Sequence, residues 1–234
     1  MKKTILALLA LTATISLRAQ DSSESAGVRE WLTTFSAVEV TAPIDIHFVR
    51  VPETEAPRII YDTKGSTSSR FRAEVRDKVL RITERYDSRR VDHTTVTVYY
   101  NSLERIAIAD AVATFEEPLS ATLLDLVVGG TARVTVPLDV KDLRMELTGK
   151  SAATLSGDVR YLSLYVSNGT FLGLDLEVMS AQVNVTGAGE ASLWVTDRFE
   201  GKTSTGGKIF YKGSPTVVRR DLKFMGGDVT HLDE

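Results

Sequence analysis

Asp139, Asp158 and Glu177 are spaced 19 residues apart, and Asp197 follows after 20. If residues 19 apart lie above one another, the carboxylates form a column about 5 Å apart, where like charges repel. A hard cation such as Ca2+ relieves that repulsion, because it takes clustered carboxylate oxygens. Lys141, Arg160 and Arg198 follow one or two residues later and offer a plainer solution, a solvated corner of mixed charge. The residues therefore call for no cofactor, with calcium as the single candidate.

Trp194 alternates with Leu193 and Val195, so it points outward, and Asp175 lies 19 residues before it. An exposed indole beside a carboxylate can hold a sugar, stacking on the ring and bonding to the hydroxyls. Tyr165 also faces outward, between Glu146 and Asn184 in the same spacing. Trp194, Asp175 and Tyr165 are the candidate ligand-binding residues; a covering loop or partner chain would remove them. An enzyme would need paired carboxylates, or Ca2+ with a basic proton abstractor, in a groove. Asp125, Arg144 and Arg133 face outward near one another in this spacing, but coils so short leave little room for groove-building loops. Asp45 and His47 share a strand face at a metal-pair spacing, with no third ligand at a recognisable distance. No phosphate loop, nucleophile elbow or HExxH is present. The chain has no cysteine, which excludes disulfides, a thiol nucleophile and Cys-ligated zinc.

The elements that position these residues follow from the same spacing. Gly130, Gly149, Asn168, Gly187 and Gly206 recur every 19 residues. Gly and Asn enter the left-handed region most cheaply, so this column marks a corner with positive φ. Leu124, Leu143, Leu162 and Ala181 form an apolar column; Leu126, Met145, Leu164 and Val183 form another; Val128, Leu147, Val166 and Val185 a third. After the corner come Val134, Ala153, Leu172 and Ala191, then Val136, Leu155, Leu174 and Leu193. Within a coil they alternate with polar residues at the period of a strand. A β-propeller blade needs about 40 residues, and no six-residue sub-period supports a hexapeptide helix. The expected fold is all-β: a single-stranded parallel β-helix, taken as right-handed, with coils of about 19 residues. In the coil at 200–205, Gly201, Thr203 and Thr205 suit the inward columns after a one-residue bulge.

Residues 1–19 read as a signal peptide: Lys2 and Lys3, an apolar run from Ile5 to Ile15, and Leu17-Arg18-Ala19 before the cleavage point. No Cys follows the apolar run, so a lipoprotein is not expected, and no later run could span a membrane. Removing residues 1–19 takes away three cations, leaving 25 minus 31, or −6. An acidic exported chain is a poor nucleic-acid binder. Residues 20–34 read as a flexible leader, 35–229 as one domain, and 230–234 as a tail. Within the domain, 103–229 holds the regular coils. Residues 35–101 are β-rich but out of frame, either irregular first coils or a capping sheet.

The segment FSAVEVTAPIDIHF (35–48), then KVLRIT (78–83), the corners TGKSA, SNGT, TGAGEA and STGGK, and IFYKGSP (209–215) occur in a distinctive order. In this the chain resembles the auto-transporter adhesin head, GIN domain family, exported proteins found mainly in Bacteroidetes, over roughly 35–229. It departs at Asn168 and Met225, where the small-residue-plus-glycine corner is altered. The resemblance implies a β-helix and supplies no catalytic residues. The expected function is a non-catalytic, adhesin-like binding or structural module at the bacterial envelope, with a polysaccharide or protein partner. The alternatives are a polysaccharide lyase or hydrolase on the same scaffold, and an envelope signalling or stress accessory protein.

Overall fold

The computed structural model describes residues 27–65, 70–85, 92–222 and 226–233. The signal peptide expected at 1–19, and Met225, lie outside the described residues. Nine short strands come first: β1 (Val28–Trp31), β2 (Ala37–Thr41), β3 (Ile44–Arg50), β4 (Arg58–Asp62), β5 (Phe71–Arg76), β6 (Val79–Glu84), β7 (Thr94–Tyr100), β8 (Arg105–Ala109) and β9 (Val112–Phe115). Five longer ones follow: β10 (Leu119–Gly129), β11 (Arg133–Thr148), β12 (Ala152–Ser167), β13 (Thr170–Thr186) and β14 (Glu190–Ser204). The chain closes with β15 (Lys208–Lys212), β16 (Val217–Leu222) and β17 (Asp228–His231). All pair into one β-solenoid sheet, with no α-helix among the described residues.

The coils stack in parallel with like residues in register. Leu124 pairs with Leu143, Leu143 with Leu162, Leu162 with Ala181 and Ala181 with Phe199. Leu126, Met145, Leu164, Val183 and Gly201 form the next inward column. Val128, Leu147, Val166, Val185 and Thr203 form the third, and all three columns are buried. Stacking is what hides them: a single coil exposes both edges of its inward face, and the coils above and below remove that surface from water.

The corner column is left-handed throughout. Gly130, Gly149, Asn168, Gly187 and Gly206 have φ between 62° and 89°. Asp110 (φ 62°) takes the same place one coil earlier. Its Oδ1 accepts the Thr131 backbone N–H at 2.9 Å, and Asn168 Oδ1 accepts that of Ala188 at 3.0 Å. Each of these side chains lies over the glycine of the following corner. A Cβ at Gly130 would sit 2.2 Å from Asp110 Oδ1, and one at Gly187 2.3 Å from Asn168 Oδ1.

The N-terminal region resolves into both expected alternatives. β2 and β3 form one coil and β6 and β7 another, yet the stack does not follow chain order. β2 lies between β6 and β8, and β3 between β7 and β9, so the first coil in sequence is second in space. Three antiparallel strands then cap the end: β5 on β6, β4 on β7 and β1 on β4. Residues 28–31, expected in a flexible leader, are the outer strand of that cap. They pair with β4, where Arg58 lies beside Trp31, its guanidinium 5.9 Å from the indole and 3.9 Å from the Tyr99 ring. At the other end, Arg220 takes the place next to Gly201 and donates to the Tyr211 hydroxyl at 2.6 Å.

Three residues expected in inward columns are not inward: Leu172, Leu174 and, at the last corner, Thr205, which is exposed with φ 55°. Phe171, not Leu172, stacks on Ala153 and under Ala191, and Leu172 is exposed. Leu174 is only half-buried, while Leu176 is buried. The cause is the Asn168 corner, which reaches its first inward residue in three steps where Gly149 and Gly187 need four. A bulge opposite Leu155 restores the frame, pairing Ser156 with Asp175. The Phe171 ring is accommodated by Gly173, where a Cβ would meet it at 2.5 Å.

Leu164→Asp puts an unpaired carboxylate in the centre of the stack, which costs several kcal/mol. The variant is expected to lose its cooperative thermal transition; melting like the parent would mean the inward columns are wrong. Gly187→Ala is expected to lower the thermal midpoint, since a left-handed non-glycine residue costs about 1–2 kcal/mol and the Asn168 clash adds to it. Combining it with Asn168→Gly should recover part of the loss. Strict additivity in that double-mutant cycle would show that Asn168 does not fill the space over the corner.

Candidate functional site

The segments before the corners form one flat face: β8, then residues 123–128, 142–148, 161–167, 180–186 and 198–204, then β16. Their outward residues stand in three rows. The central row runs Arg105, Asp125, Arg144, Ser163, Gln182 and Glu200. On one side of it are Asp142, Tyr161, Ser180 and Arg198; on the other, Glu146, Tyr165, Asn184 and Lys202. Tyr161 is 45% and Tyr165 39% exposed. Two adjoining shallow hollows of about 550 and 670 Å³ lie along these rows, sharing Asp125, Arg144, Ser163 and Gln182.

Charge along the rows is arranged, not scattered. Asp125 lies between Arg105 and Arg144. Arg198 donates to Glu200 from Nε at 3.1 Å, and Arg219 reaches the same oxygen at 3.6 Å. The Arg198 hydrogen bond, with the charges of Arg198, Arg219 and Lys202, holds the Glu200 carboxyl below its usual range. Between the charged triplets Asp142, Arg144, Glu146 and Arg198, Glu200, Lys202 lie two coils that carry no charge on this face.

The expected ligand-binding trio does not assemble. Tyr165 sits where expected, between Glu146 and Asn184. Trp194 is on a segment after the corner, and its neighbour there is Glu177, not Asp175. Asp175 pairs with Ser156. The indole is partly covered: Lys212, its partner on β15, places Nζ 4.8 Å from the ring centre, and Gly213 packs close by. Arg133 is likewise on the other face, pairing with Val112 and Ala152, so it does not join Asp125 and Arg144.

The acidic column is in register for Asp139, Asp158 and Glu177, all exposed. They line a shallow depression with Lys141 and Arg160. Asp197 falls outside it, its Oδ1 accepting from the Thr216 hydroxyl at 2.7 Å. No group of three or more His, Asp and Glu side chains is arranged to hold a metal ion among the described residues. His93 comes within 3.8 Å of Asp45, while His47 bonds to Thr114 at 2.6 Å.

Tyr161 and Ser180 stand on this face beside Tyr165 and Asn184 and are not among the candidates that the sequence singles out. The signal was available, since Tyr161 shares a strand face with Tyr165 four residues on and the 19-residue spacing gives its neighbours. What the spacing alone does not weigh is the absence of charge on this face across two successive coils.

The fold is a β-solenoid that displays side chains in rows from a rigid sheet. The chain belongs to the family described as putative auto-transporter adhesin, head GIN domain, which it matches over residues 34–215. Among solved structures it is similar to a putative adhesin from Bacteroides fragilis NCTC 9343, at 17% identity and TM-score 0.80, over 88% of this chain and 96% of that one. A putative adhesin from Parabacteroides distasonis ATCC 8503 matches at 20% identity and TM-score 0.67, over 88% and 96%. A putative lipid binding protein from the same organism matches at 15% identity and TM-score 0.69, also over 88% and 96%. At these identities the likeness establishes the fold. No curated protein is similar to the chain in sequence.

The covering of Trp194 can be read by fluorescence. In a Trp31→Phe variant the remaining indole should be quenched by acrylamide more slowly than in the parent, where Trp31 is 65% exposed. Lys212→Ala should speed quenching again. Equal quenching of the two tryptophans would mean that Trp194 is open.

Proposed function

We propose that this protein is an exported, non-catalytic, adhesin-like module that presents its flat outward face to a polymer or protein at the cell envelope. The observation that carries this reading is the face itself: a continuous, loop-free parallel sheet whose outward residues stand in register across successive coils. A rigid display of this kind suits an extended partner and loses little conformational entropy on binding. The apolar stretch after Lys2 and Lys3 supports export, as does family membership.

The carboxylates on the face favour binding over hydrolysis. A glycosidase needs one carboxyl with a raised pKa facing a second across the scissile bond. Here the Glu200 carboxyl is held low by its Arg198 hydrogen bond, the opposite of what the acid needs.

Two measurements test the reading together. Tagged full-length protein should fractionate outside the cytoplasm, and the purified protein should bind intact cells or extracted envelope polysaccharide without releasing reducing ends or unsaturated products. Retention in the cytoplasm would overturn export. Product release would turn the protein into a carbohydrate-active enzyme.

A further inference from the structure

We propose that the uncharged lane across the two middle coils of the flat face is a binding site for a neutral saccharide chain. This rests on the adhesin-like reading and assigns it a ligand class. The lane consists of Tyr161, Ser163 and Tyr165 on β12 and Ser180, Gln182 and Asn184 on β13, paired in register. It is about 10 Å wide, two coils at the strand spacing, and its tyrosines are about 13 Å apart along one strand.

The chemistry of the six residues converges on one ligand. Two exposed rings on a single flat face offer apolar platforms for the C–H faces of sugar rings. Between and beside them, Gln182 and Asn184 each present a donor and an acceptor side by side, and the two serines add hydroxyls that do both. Vicinal sugar hydroxyls need that mixture. A strip so spaced takes a chain of several rings, not a single monosaccharide. None of the six side chains carries a charge; each stands in register with a charged residue on the bordering coil.

The borders of the lane argue the same point. On one side stand Asp142, Arg144 and Glu146; on the other Arg198, Glu200 and Lys202. The two borders carry opposite charge patterns, minus-plus-minus and plus-minus-plus. An acidic polysaccharide would meet a carboxylate on either side wherever it met a cation. A basic protein segment would have the converse difficulty. An uncharged polyhydroxylated chain is repelled by neither, and charged side chains at its edges bond well to hydroxyls. Tyr161 and Tyr165 stand on one strand in the two adjoining hollows, so one chain laid along β12 touches both.

The test titrates purified protein with soluble β-1,4-glucan, α-1,4-glucan and mannan oligosaccharides, with polygalacturonate as the acidic probe and cell binding measured in parallel. At least one neutral oligosaccharide should bind saturably. Tyr161→Ala and Tyr165→Ala should each weaken it about tenfold, the scale of one aromatic contact. Their side chains are exposed, so their thermal midpoints should match the parent. Gln182→Lys, which brings a charge into the lane without removing a ring, should weaken it too, and Trp194→Phe should not. Binding only to polygalacturonate would overturn the proposal, as would neutral-sugar binding indifferent to both tyrosines. Cell binding with no neutral-sugar binding would overturn the saccharide site and leave the adhesin-like reading standing. Failure to bind cells or any polysaccharide would remove both.

Discussion

Everything in this molecule depends on the hydrogen-bonded register between one coil and the next. In a parallel stack each residue lies on its counterpart about 4.8 Å away, so every position of the coil is repeated as a column. A column therefore keeps largely to one kind, Thr203 being the polar member of the third inward column. An inward column that admitted one charge would bury it against apolar neighbours on both sides. A corner column that admitted one strained residue would strain its own coil and tilt the next. The left-handed corner shows how tightly this binds. Asp110 and Asn168 are admitted there because each spends its side-chain oxygen on the N–H of the following corner. Each then forces glycine directly above it, at Gly130 and Gly187. The identity of one corner residue is set by its neighbour a full coil away.

The irregularities obey the same constraint. At two inward positions a large ring is followed two residues later by a glycine that receives it. Phe171 is matched by Gly173 and Phe199 by Gly201, each glycine lying where a Cβ would meet the ring. Phe199 also stacks on Tyr211 at 4.4 Å, which carries the core into the last coil. Slippage by one residue at the Asn168 corner is taken up by a bulge before the next inward column begins. Between β13 and β14 the correction is larger, and the corner of β14 is two residues shorter than its counterpart. Local defects are thus absorbed within a coil, so the register of Leu164 with Val183 survives them.

This explains what was legible in the sequence. Columns and corners repeat, and a repeat can be read without a structure: the three inward columns and the left-handed positions from Gly130 to Gly206 stand where the spacing puts them. Tyr165 was legible for the same reason. A capping sheet was one of two readings of the N-terminal region, but its pairing was not legible, because β1, β4 and β5 occur once each and no second copy reveals their partners. The insertion of the first coil between β6–β7 and β8–β9 was hidden too, since alternation shows that a strand exists and not where it docks. Trp194 was assigned the wrong neighbour because the frame drifts by two residues in the β14 corner. A spacing argument carries such a drift silently, while the hydrogen-bond ladder does not.

Register also governs charge, and differently on a face and at a corner. On the flat face, outward side chains stand one above another with little room to splay. Like charges in one row would repel across a single strand spacing. The row from Arg105 through Asp125 to Arg144 alternates in sign for that reason. At a corner the backbone turns away, and neutralisation comes from the side. Asp139, Asp158 and Glu177 stack without alternating, in a depression shared with Lys141 and Arg160. A face bound by this rule has two stable ways to cover a coil: alternate the charge with its neighbours, or carry none. The middle coils carry none, and they place two aromatic rings where charge would otherwise be. The coils on either side, Arg105 to Arg144 and Glu200 to Arg219, show that an alternating ladder also fits this face. The uncharged lane is therefore a feature that packing does not require, which is the physical ground for looking there for a ligand.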